Sequence, residues 1–306
     1  MTTSYIDKFS SCLVERAPIF SQELARTRLA EPDTFNRLAE PMLKWAEIAL
    51  GETWAEQLVD GYCEFVLDVN RSQLKYEKSG RYENSSFAEV FSKAYSDPEF
   101  MQLYHWGVYT TTFVWTHHLR IYKLFESQFV PLLKNVSGGS LVDLGAGSGI
   151  WHLLSLQNVP SLSVSAVDVS EPTIERSKNM AKTLGYGDKI THHVADALTW
   201  KPDAPAQAGI SCFLLEHLEQ PNALLAGLAN SIEPGAPAFV TSALTAAEID
   251  HIFEYRRESE LVIACEQAGF RVLSMYSATP DTTPRSRYFA PRSIGLVLQK
   301  RTNAIW

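Results

Sequence analysis

The chain contains 306 residues, of which 45% are hydrophobic and 20% are charged, and its formal net charge is −8. That length is enough for two domains with stable cores, and the composition is typical of a globular protein. The acidic charge excludes a general nucleic-acid binder with a basic surface, although it leaves local basic patches open.

The cysteines and the apolar runs indicate the cellular compartment. The cysteines form no C-x-x-C pair, so the sequence predicts neither a zinc site nor a disulfide framework. The N-terminus shows no apolar signal region, and no run approaches the ~18 apolar residues of a membrane span. We therefore expect a cytoplasmic protein that does not interact with membranes.

The first part of the chain predicts helices. Apolar residues recur at helical intervals over residues 1 to about 60, with prolines near the expected helix starts and Gly51 and Gly61 near helix ends. This pattern favours a helical domain or a helical lid. Polar residues predominate from Asn70 to Ser86, a stretch that we interpret as a connecting loop.

A long aromatic-rich helix is predicted next. It begins after Asp97-Pro98 and is apolar nearly all round, which is typical of a helix buried between two domains. Its side chains could form an aromatic wall for a substrate, whereas most such stripes belong to a hydrophobic core. The candidate substrate-binding residues on this helix are Tyr104, His105, Tyr109 and His117.

A glycine-rich turn lies near the middle of the chain. Residues 141–150 are Leu-Val-Asp-Leu-Gly-Ala-Gly-Ser-Gly-Ile, an apolar run with an acid that continues into alternating glycines. This pattern predicts a buried parallel strand that turns sharply into a helix. Glycine permits a positive φ and a close ligand, and the helix offers free N–H groups, so we predict a nucleotide-type site.

The glycine spacing restricts the type of nucleotide. Glycines at 145, 147 and 149 do not fit the dinucleotide fingerprint G-x-G-x-x-G, and no Gly-Lys-Ser/Thr of a P-loop follows. Three later segments read as strands: Leu162 to Asp168, Ile190 to Val194, and Gly209 to Leu215. The first ends in an acid, and Asp196 and Glu216 follow the other two. With the glycine turn, these segments resemble the class I S-adenosylmethionine-dependent methyltransferases over roughly Ser140 to Arg301.

Strands and helices alternate after the glycine turn, with helices predicted over Pro221 to Ser231 and Glu254 to Ala268. This alternation implies a parallel sheet with helices on both faces. The resemblance implies an α/β, Rossmann-like class I methyltransferase fold. Its seven-stranded, mostly parallel sheet would end in an antiparallel strand, here Ser293 to Leu298. We predict a helical N-terminal domain over residues 1–135 that contributes to the substrate pocket, and a methyltransferase domain over residues 136–306.

The resemblance also implies the cofactor, S-adenosylmethionine, and its product S-adenosylhomocysteine. The glycines of the turn would cradle the methionine part, Asp143 would support its amino group, and Asp168 would hold the ribose hydroxyls. Asp196 and Ala197 would hold the adenine. The full predicted cofactor-binding set is Asp143, Gly145, Ala146, Gly147, Gly149, Asp168, Val169, Asp196, Ala197 and Leu214.

The candidate catalytic residues are Glu216 and His217, because the end of the fourth strand faces the methyl group in this fold. Methyl transfer mainly requires alignment of a nucleophile with the methyl group and exclusion of water. A base helps when the nucleophile carries a proton, and a carboxylate nucleophile needs none. The alternative is that Glu216 caps the next helix and His217 only shapes the pocket.

The loops over residues 243–255 and 277–292 supply further candidates for substrate binding. Their arginines, or one beside them, could clamp a substrate carboxylate or phosphate, and Tyr255 and Arg256 are the predicted substrate-binding residues. The alternative for Arg256 is an ordinary helix-surface ion pair with Glu260.

The sequence predicts no metal site. His117-His118 on a helix and His192-His193 on a strand point in different directions, so neither pair chelates one ion. A site built from distant histidines such as His217 and His251 stays open.

The predicted function is methylation, at an oxygen atom, of a small molecule of specialised metabolism. A clamping arginine would suit an anionic substrate. Carbon methylation of an activated acid or keto acid, nitrogen methylation, and a non-catalytic partner subunit are the alternatives. No Asn-Pro-Pro-Tyr-like segment follows the fourth strand, which disfavours methylation of nucleobase amino groups. We expect no nucleic-acid partner, and a homodimer formed through the N-terminal helices.

Overall fold

A computed structural model of the chain describes residues 4–90, 98–136, 138–279 and 290–302, with the backbone alone for 98–102. The helices before the sheet are α1 (Tyr5–Arg16), α2 (Pro18–Ala30), α3 (Pro32–Leu50), α4 (Trp54–Ser79), α5 (Phe87–Val90), α6 (Pro98–Val114), α7 (Thr116–Leu124) and α8 (Val130–Asn135). A π-helical turn, Phe125–Phe129, joins α7 to α8.

Strands and helices then alternate, as the sequence predicts. They are β1 (Ser140–Leu144), α9 (Ile150–Asn158), β2 (Ser163–Asp168), α10 (Glu171–Thr183), β3 (Ile190–Val194), β4 (Ala208–Cys212), α11 (Pro221–Ser231), β5 (Pro237–Leu244), α12 (Glu258–Gln267), β6 (Phe270–Ala278) and β7 (Arg292–Lys300). Short 3-10 turns cover Gly51–Thr53, Gly187–Lys189 and Leu215–His217.

Contacts group the chain into two compact units. The helical unit contains residues 1–123, 246–252 and 278–291, and the sheet unit contains residues 124–245, 253–277 and 292–306. By contacts, therefore, the helical segments from Leu124 onward group with the sheet, and two later segments group with the N-terminal helices. The predicted domain boundary at residue 135 stays a prediction.

The helical unit is built from amphipathic helices around an aromatic and aliphatic core. Phe9 of α1 packs edge-to-face on Phe113 of α6, with ring centroids 5.6 Å apart. The Thr27 hydroxyl donates to the Val114 carbonyl at 2.6 Å, which satisfies a carbonyl left free at the end of α6. The polar and apolar contacts together hold α1, α2 and α6 in one core.

The prediction of a loop over residues 70–86 is wrong for most of its length, because α4 continues to Ser79. Polar composition alone suggested the loop. The stretch is nevertheless amphipathic, since Tyr76 is buried and Lys75 and Lys78 are exposed. The predicted long aromatic helix is also interrupted, because α6 ends at Val114 and α7 begins at Thr116.

The sheet unit contains a seven-stranded sheet in the order β3-β2-β1-β4-β5-β7-β6. The strands from β1 to β5 pair in parallel, and β7 pairs antiparallel with β5, as the sequence predicts. Strands β4 and β5 are buried along their whole length, which explains their continuous apolar runs. Because the parallel strands share one direction, β1 to β4 present their carboxyl ends at the same edge.

Candidate active site

The glycine-rich turn after β1 is fixed to the neighbouring strand by its backbone. The N–H groups of Gly145 and Ala146 both donate to the Val167 carbonyl of β2, each at 2.9 Å. The φ angles of Gly145, Gly147 and Gly149 are +75°, +52° and +88°. This left-handed region is costly for residues with a Cβ, so the turn depends on glycine.

The three glycines differ in what a side chain would meet. A Cβ on Gly145 would lie 2.3 Å from Leu214 Cδ2, and one on Gly149 would lie 2.7 Å from His152 Nε2. A Cβ on Gly147 would have no described protein atom within 4 Å. Packing within the protein therefore requires two of the glycines, whereas Gly147 faces space that a ligand can occupy.

The Asp168 carboxylate stands at the end of β2 beside this space. Its Oδ2 accepts from the Gly147 N–H and its Oδ1 from the Ser170 N–H, both at 2.9 Å. Burial raises the pKa of Asp168, and these two hydrogen bonds oppose the rise. A carboxylate has about four lone-pair sites, so Asp168 can still accept hydrogen bonds from hydroxyl groups.

Apolar side chains are exposed next to Asp168. Val169 follows it in the chain, and Val194 lies opposite it in the register of β2 and β3. They are 57% and 53% exposed, which is unusual for valine. The sequence prediction included Val169 but missed Val194, which reads simply as the last residue of a strand.

The remaining predicted cofactor residues lie along the same edge. The Ala195 N–H donates to the Asp168 carbonyl at 2.9 Å, which joins the end of β3 to β2. Asp196 is exposed and accepts from the Leu198 N–H at 2.9 Å, while Ala146 and Ala197 are buried. Leu214 follows β4 and packs on Gly145. Asp143 and Asp168 thus lie within the last two residues of β1 and β2, and the rest of the predicted set lies on the turns that follow β1, β2, β3 and β4.

Asp143 has a partner that the sequence analysis missed. Its Oδ2 lies 2.9 Å from His152 Nδ1, and the side chains are 3% and 0% exposed. No other hydrogen bond within the described part of the chain reaches this carboxylate. His152 lies in an apolar helix, and nothing in its sequence context signals the pair.

Glu216 and His217 lie in the 3-10 turn after β4, and their environments differ. Glu216 is buried, and its two carboxylate oxygens accept from the Ser242 hydroxyl at 2.9 Å and the Ala243 N–H at 3.1 Å. His217 is half-buried. Glu216 therefore ties the turn to β5 and does not cap the next helix, because the N-cap residue of α11 is Gln220 and no described side chain caps that helix. The predicted catalytic roles of both residues stay predictions.

The four predicted substrate residues of α6 and α7 lie in the helical unit. The Tyr104 hydroxyl contacts Glu248 at 3.0 Å and Asp250 at 2.9 Å, and the Tyr109 hydroxyl donates to the Met42 carbonyl at 2.7 Å. His105 is half-buried. His117 is buried, and burial holds its pKa well below the usual range. The two phenols thus have partners within the unit, and substrate binding by the four residues stays a prediction.

The two other predicted substrate residues lie in the sheet unit. Tyr255 is 3% exposed, and its hydroxyl has no hydrogen-bond partner among the described residues. Arg256 is exposed, and its guanidinium pairs with both carboxylate oxygens of Glu254 at 3.1 Å. Glu260 instead accepts from the Arg256 backbone N–H at 3.0 Å. The hydrogen bond between these two residues therefore comes from the Arg256 backbone, whereas the alternative reading suggested an ion pair of their side chains.

One cluster in the helical unit combines ligand types that metals use. Glu248, Asp250 and His251 offer ligand atoms within 4.8 Å of one another. The Tyr104 hydroxyl contacts two of these three residues. The predicted absence of a metal stays a prediction.

Comparison with known proteins shows what part of the sheet unit is similar to. Residues 141–235 match the family model described as a methyltransferase domain. Over this segment the chain is similar to the class I S-adenosylmethionine-dependent methyltransferases. The match begins at β1 and extends past α11, so it covers the glycine turn, Asp168 and the 3-10 turn after β4. S-adenosylmethionine is the methyl donor of this class.

The methyltransferase domain also has curated relatives. The chain is 24% identical over 162 residues to the biotin biosynthesis bifunctional protein BioHC of Teredinibacter turnerae, covering 47% of this chain and 28% of that protein. It is 29% identical over 63 residues to a tRNA1(Val) (adenine(37)-N6)-methyltransferase of Vibrio campbellii, covering 21% and 26%. The chain thus spans less than a third of the length of either relative.

Solved methyltransferases share the fold over most of the chain. The mitomycin 7-O-methyltransferase MmcR matches with a TM-score of 0.53 at 15% identity, covering 83% of this chain and 74% of that one. The methyltransferase SibL matches with a TM-score of 0.55 at 16% identity, covering 81% and 73%. Among the described helices, none combines the length and apolar character needed to cross a membrane.

Proposed function

We propose that this chain is a methyltransferase that transfers the methyl group of S-adenosylmethionine to oxygen on a small molecule. The observation that carries the proposal is the pairing of open space at Gly147 with the Asp168 carboxylate that receives the Gly147 N–H. A glycine turn that packs tightly at Gly145 and Gly149 and stays open between them leaves room for a ligand against the backbone.

The chemistry of these residues fits the cofactor. S-adenosylmethionine supplies an electrophilic methyl group and carries a ribose, an adenine and an amino-acid portion. Asp168 would accept the ribose hydroxyls, and the exposed Val169 and Val194 would contact the adenine face. Asp143 and the free N–H groups at the start of α9 would bind the charged amino-acid portion, because a helix N-terminus attracts a carboxylate.

A hydroxyl acceptor needs a group that removes its proton, and His217 is our candidate for that base. It follows β4 at the edge where the cofactor residues converge, and it is half-buried. Glu216 would hold the turn in place, since both of its oxygens already accept hydrogen bonds. The fold shared with MmcR supports a small-molecule oxygen acceptor, because the likeness extends over 83% of this chain.

The experiment is a methyl-transfer assay with isotope-labelled S-adenosylmethionine and a panel of small phenols, alcohols, hydroxy acids and keto acids. Ether products survive mild alkali, methyl esters release methanol, and carbon methylation survives both alkali and acid. We expect an alkali-stable ether, and a loss of turnover of about 100-fold in His217→Ala with little change in cofactor affinity. Transfer to carbon, or unchanged turnover in the variant, would contradict the proposal.

A further inference from the structure

Four polar side chains, three buried and one half-buried, form a hydrogen-bonded chain beneath the glycine turn of the sheet unit. They are Asp143 of β1, His152 of α9, Ser177 of α10 and His192 of β3. His152 Nδ1 lies 2.9 Å from Asp143 Oδ2, and Ser177 Oγ lies 3.4 Å from His152 Nε2 and 3.1 Å from His192 Nε2. Asp143, His152 and Ser177 are at most 2% exposed. Only Asp143 belongs to the predicted cofactor set.

The chemistry of the groups fixes the direction of the first bond. An ionised carboxylate only accepts hydrogen bonds, so Nδ1 of His152 carries the hydrogen and donates it to Asp143. When this ring is neutral, its Nε2 is an acceptor. The Ser177 hydroxyl stands between the two imidazoles and can donate to one ring nitrogen while it accepts from the other. His152 is thereby held at both ends of its ring.

His152 supports two parts of the turn at once. A buried carboxylate is costly without a donor, and His152 is the donor for Asp143. At the other end of its ring, a Cβ on Gly149 would lie 2.7 Å from His152 Nε2 and 2.8 Å from Ser177 Oγ. The backbone at Gly149 therefore rests directly on these two polar atoms. The second oxygen of Asp143 has no hydrogen bond among the described residues.

We propose that His152 is a positioning residue of the methyltransferase site. It orients the Asp143 carboxylate and supports the turn at Gly149, so that both are in place for the amino-acid portion of the cofactor before it binds. Preorganised groups cost less free energy to order on binding, so their loss appears as weaker affinity. This inference rests on the proposed function, because it assumes that the turn binds S-adenosylmethionine.

Two substitutions separate positioning from packing. His152→Leu keeps an apolar side chain of similar bulk and removes the donor, whereas His152→Asn keeps an N–H close to the position of Nδ1. His193→Leu is the matched control, because its ring packs on Trp200, 5.0 Å away, and makes no hydrogen bond to Asp143. Ser177→Ala provides a milder variant if His152→Leu does not fold.

The measurement is calorimetric titration of the full chain with S-adenosylmethionine and S-adenosylhomocysteine, beside the thermal midpoint of each variant. We expect affinity to fall about ten-fold or more in His152→Leu, about three-fold in Ser177→Ala, and less than about three-fold in His152→Asn and His193→Leu. Rescue by asparagine is the result that a purely structural role would not produce.

Two results would overturn the inference. Wild-type affinity in a folded His152→Leu protein would show that Asp143 needs no such donor. Equal losses of affinity in His152→Asn and His152→Leu would show that the shape of the imidazole ring matters and its N–H donor does not. If the wild type binds neither ligand, the proposed function itself fails, and this outcome is distinguishable because it does not depend on the variants.

Discussion

The three glycines of the turn are required for different physical reasons. Gly145 and Gly149 are constrained by protein atoms that a Cβ would reach at 2.3 Å and 2.7 Å. Gly147 is constrained by its φ of +52° alone, since no described atom lies within 4 Å of its absent Cβ. A substitution at Gly147 can therefore separate an effect on ligand affinity from an effect on the free energy of unfolding.

Gly147→Ala should fold and bind the cofactor poorly. The left-handed backbone costs about 1–2 kcal/mol with a Cβ, which urea unfolding measures. The methyl group would occupy the space assigned to the ligand, and we expect at least about ten-fold weaker affinity for S-adenosylhomocysteine. Gly185→Ala is the matched control, because its φ is +79° and its Cβ would also be free of contacts. Equal affinities in the two variants would contradict the assignment.

Tyr255→Phe tests a buried hydroxyl that has no hydrogen-bond partner among the described residues. Burial raises the pKa of this phenol, so it is neutral at all ordinary pH values. Removing an unsatisfied polar atom relieves a desolvation cost of about 1–3 kcal/mol. We expect the free energy of unfolding to stay constant or rise by up to about 1 kcal/mol. A loss above that size would show that the hydroxyl has a partner.

At the scale of elements, α4 and α6 cross at two glycines. A Cβ on Gly107 would lie 2.4 Å from Phe65 Cβ and 2.6 Å from the Gly61 carbonyl oxygen. The Gly61 position is equally close, with the Leu103 carbonyl oxygen at 2.7 Å. The two helices can therefore approach each other closely, because Gly61 and Gly107 have no side chains at the crossing. In the sequence, Gly61 was interpreted only as a helix end, because close approach depends on a partner far along the chain.

Gly107→Ala should destabilise the helical unit. The new methyl group meets backbone and Cβ atoms that cannot rotate away, and we expect a loss of about 2 kcal/mol or more in the free energy of unfolding. Gly227→Ala in α11 is the control, because its nearest atom would be the Ala197 carbonyl oxygen at 3.7 Å. That variant should gain about 0.5–1 kcal/mol through helix propensity. Equal effects of the two substitutions would contradict the close crossing.

Elements with a strong hydrophobic pattern were predictable, and elements bounded by polar residues were less so. The helix predicted at Pro221 to Ser231 has the bounds of α11, and β3 has the bounds predicted for it. The predicted start of α12 at Glu254 is wrong, because the helix begins at Glu258 and Glu254 pairs with Arg256 before it. The polar C-terminal half of α4 was predicted as a loop, because its polar composition made the amphipathic pattern hard to detect.

The candidate site was predictable where the chemistry is local. The turn glycines and Asp168 follow a pattern within about 25 residues of sequence, and the structure brings them together. The His152–Asp143 pair was not predictable, because a histidine in an apolar helix gives no signal of its partner. The same applies to Ser177, whose contact depends on how α10 packs against the sheet.

For the whole molecule, two half-buried histidines predict a loss of stability in mild acid. Burial lowers the pKa of His118 to about 3 and that of His192 to about 4, below the unfolded value of 6.5. Between pH 6.5 and 4 the unfolded chain therefore binds more protons than the folded one, and the free energy of unfolding falls as the pH falls. The raised pKa of Asp168 acts in the opposite direction.

Urea unfolding from pH 7 to pH 4.5 measures this dependence. We expect a smaller slope in His192→Gln than in the wild type, because a neutral amide removes one of the protons taken up on unfolding. Unfolding free energies that stay constant or rise toward pH 4.5 would contradict the burial of these imidazoles in neutral form.

We propose above all that the sheet unit binds S-adenosylmethionine through the glycine turn and Asp168. Calorimetric titration of the wild type, Asp168→Ala and the exposed control Asp188→Ala with S-adenosylmethionine and S-adenosylhomocysteine tests it most directly. Loss of charge-assisted bonds to the ribose should cost about 1.5–3 kcal/mol, which is roughly a ten- to hundred-fold loss of affinity in Asp168→Ala alone. A folded wild type that binds neither ligand, or an Asp168→Ala protein with wild-type affinity, would contradict the account.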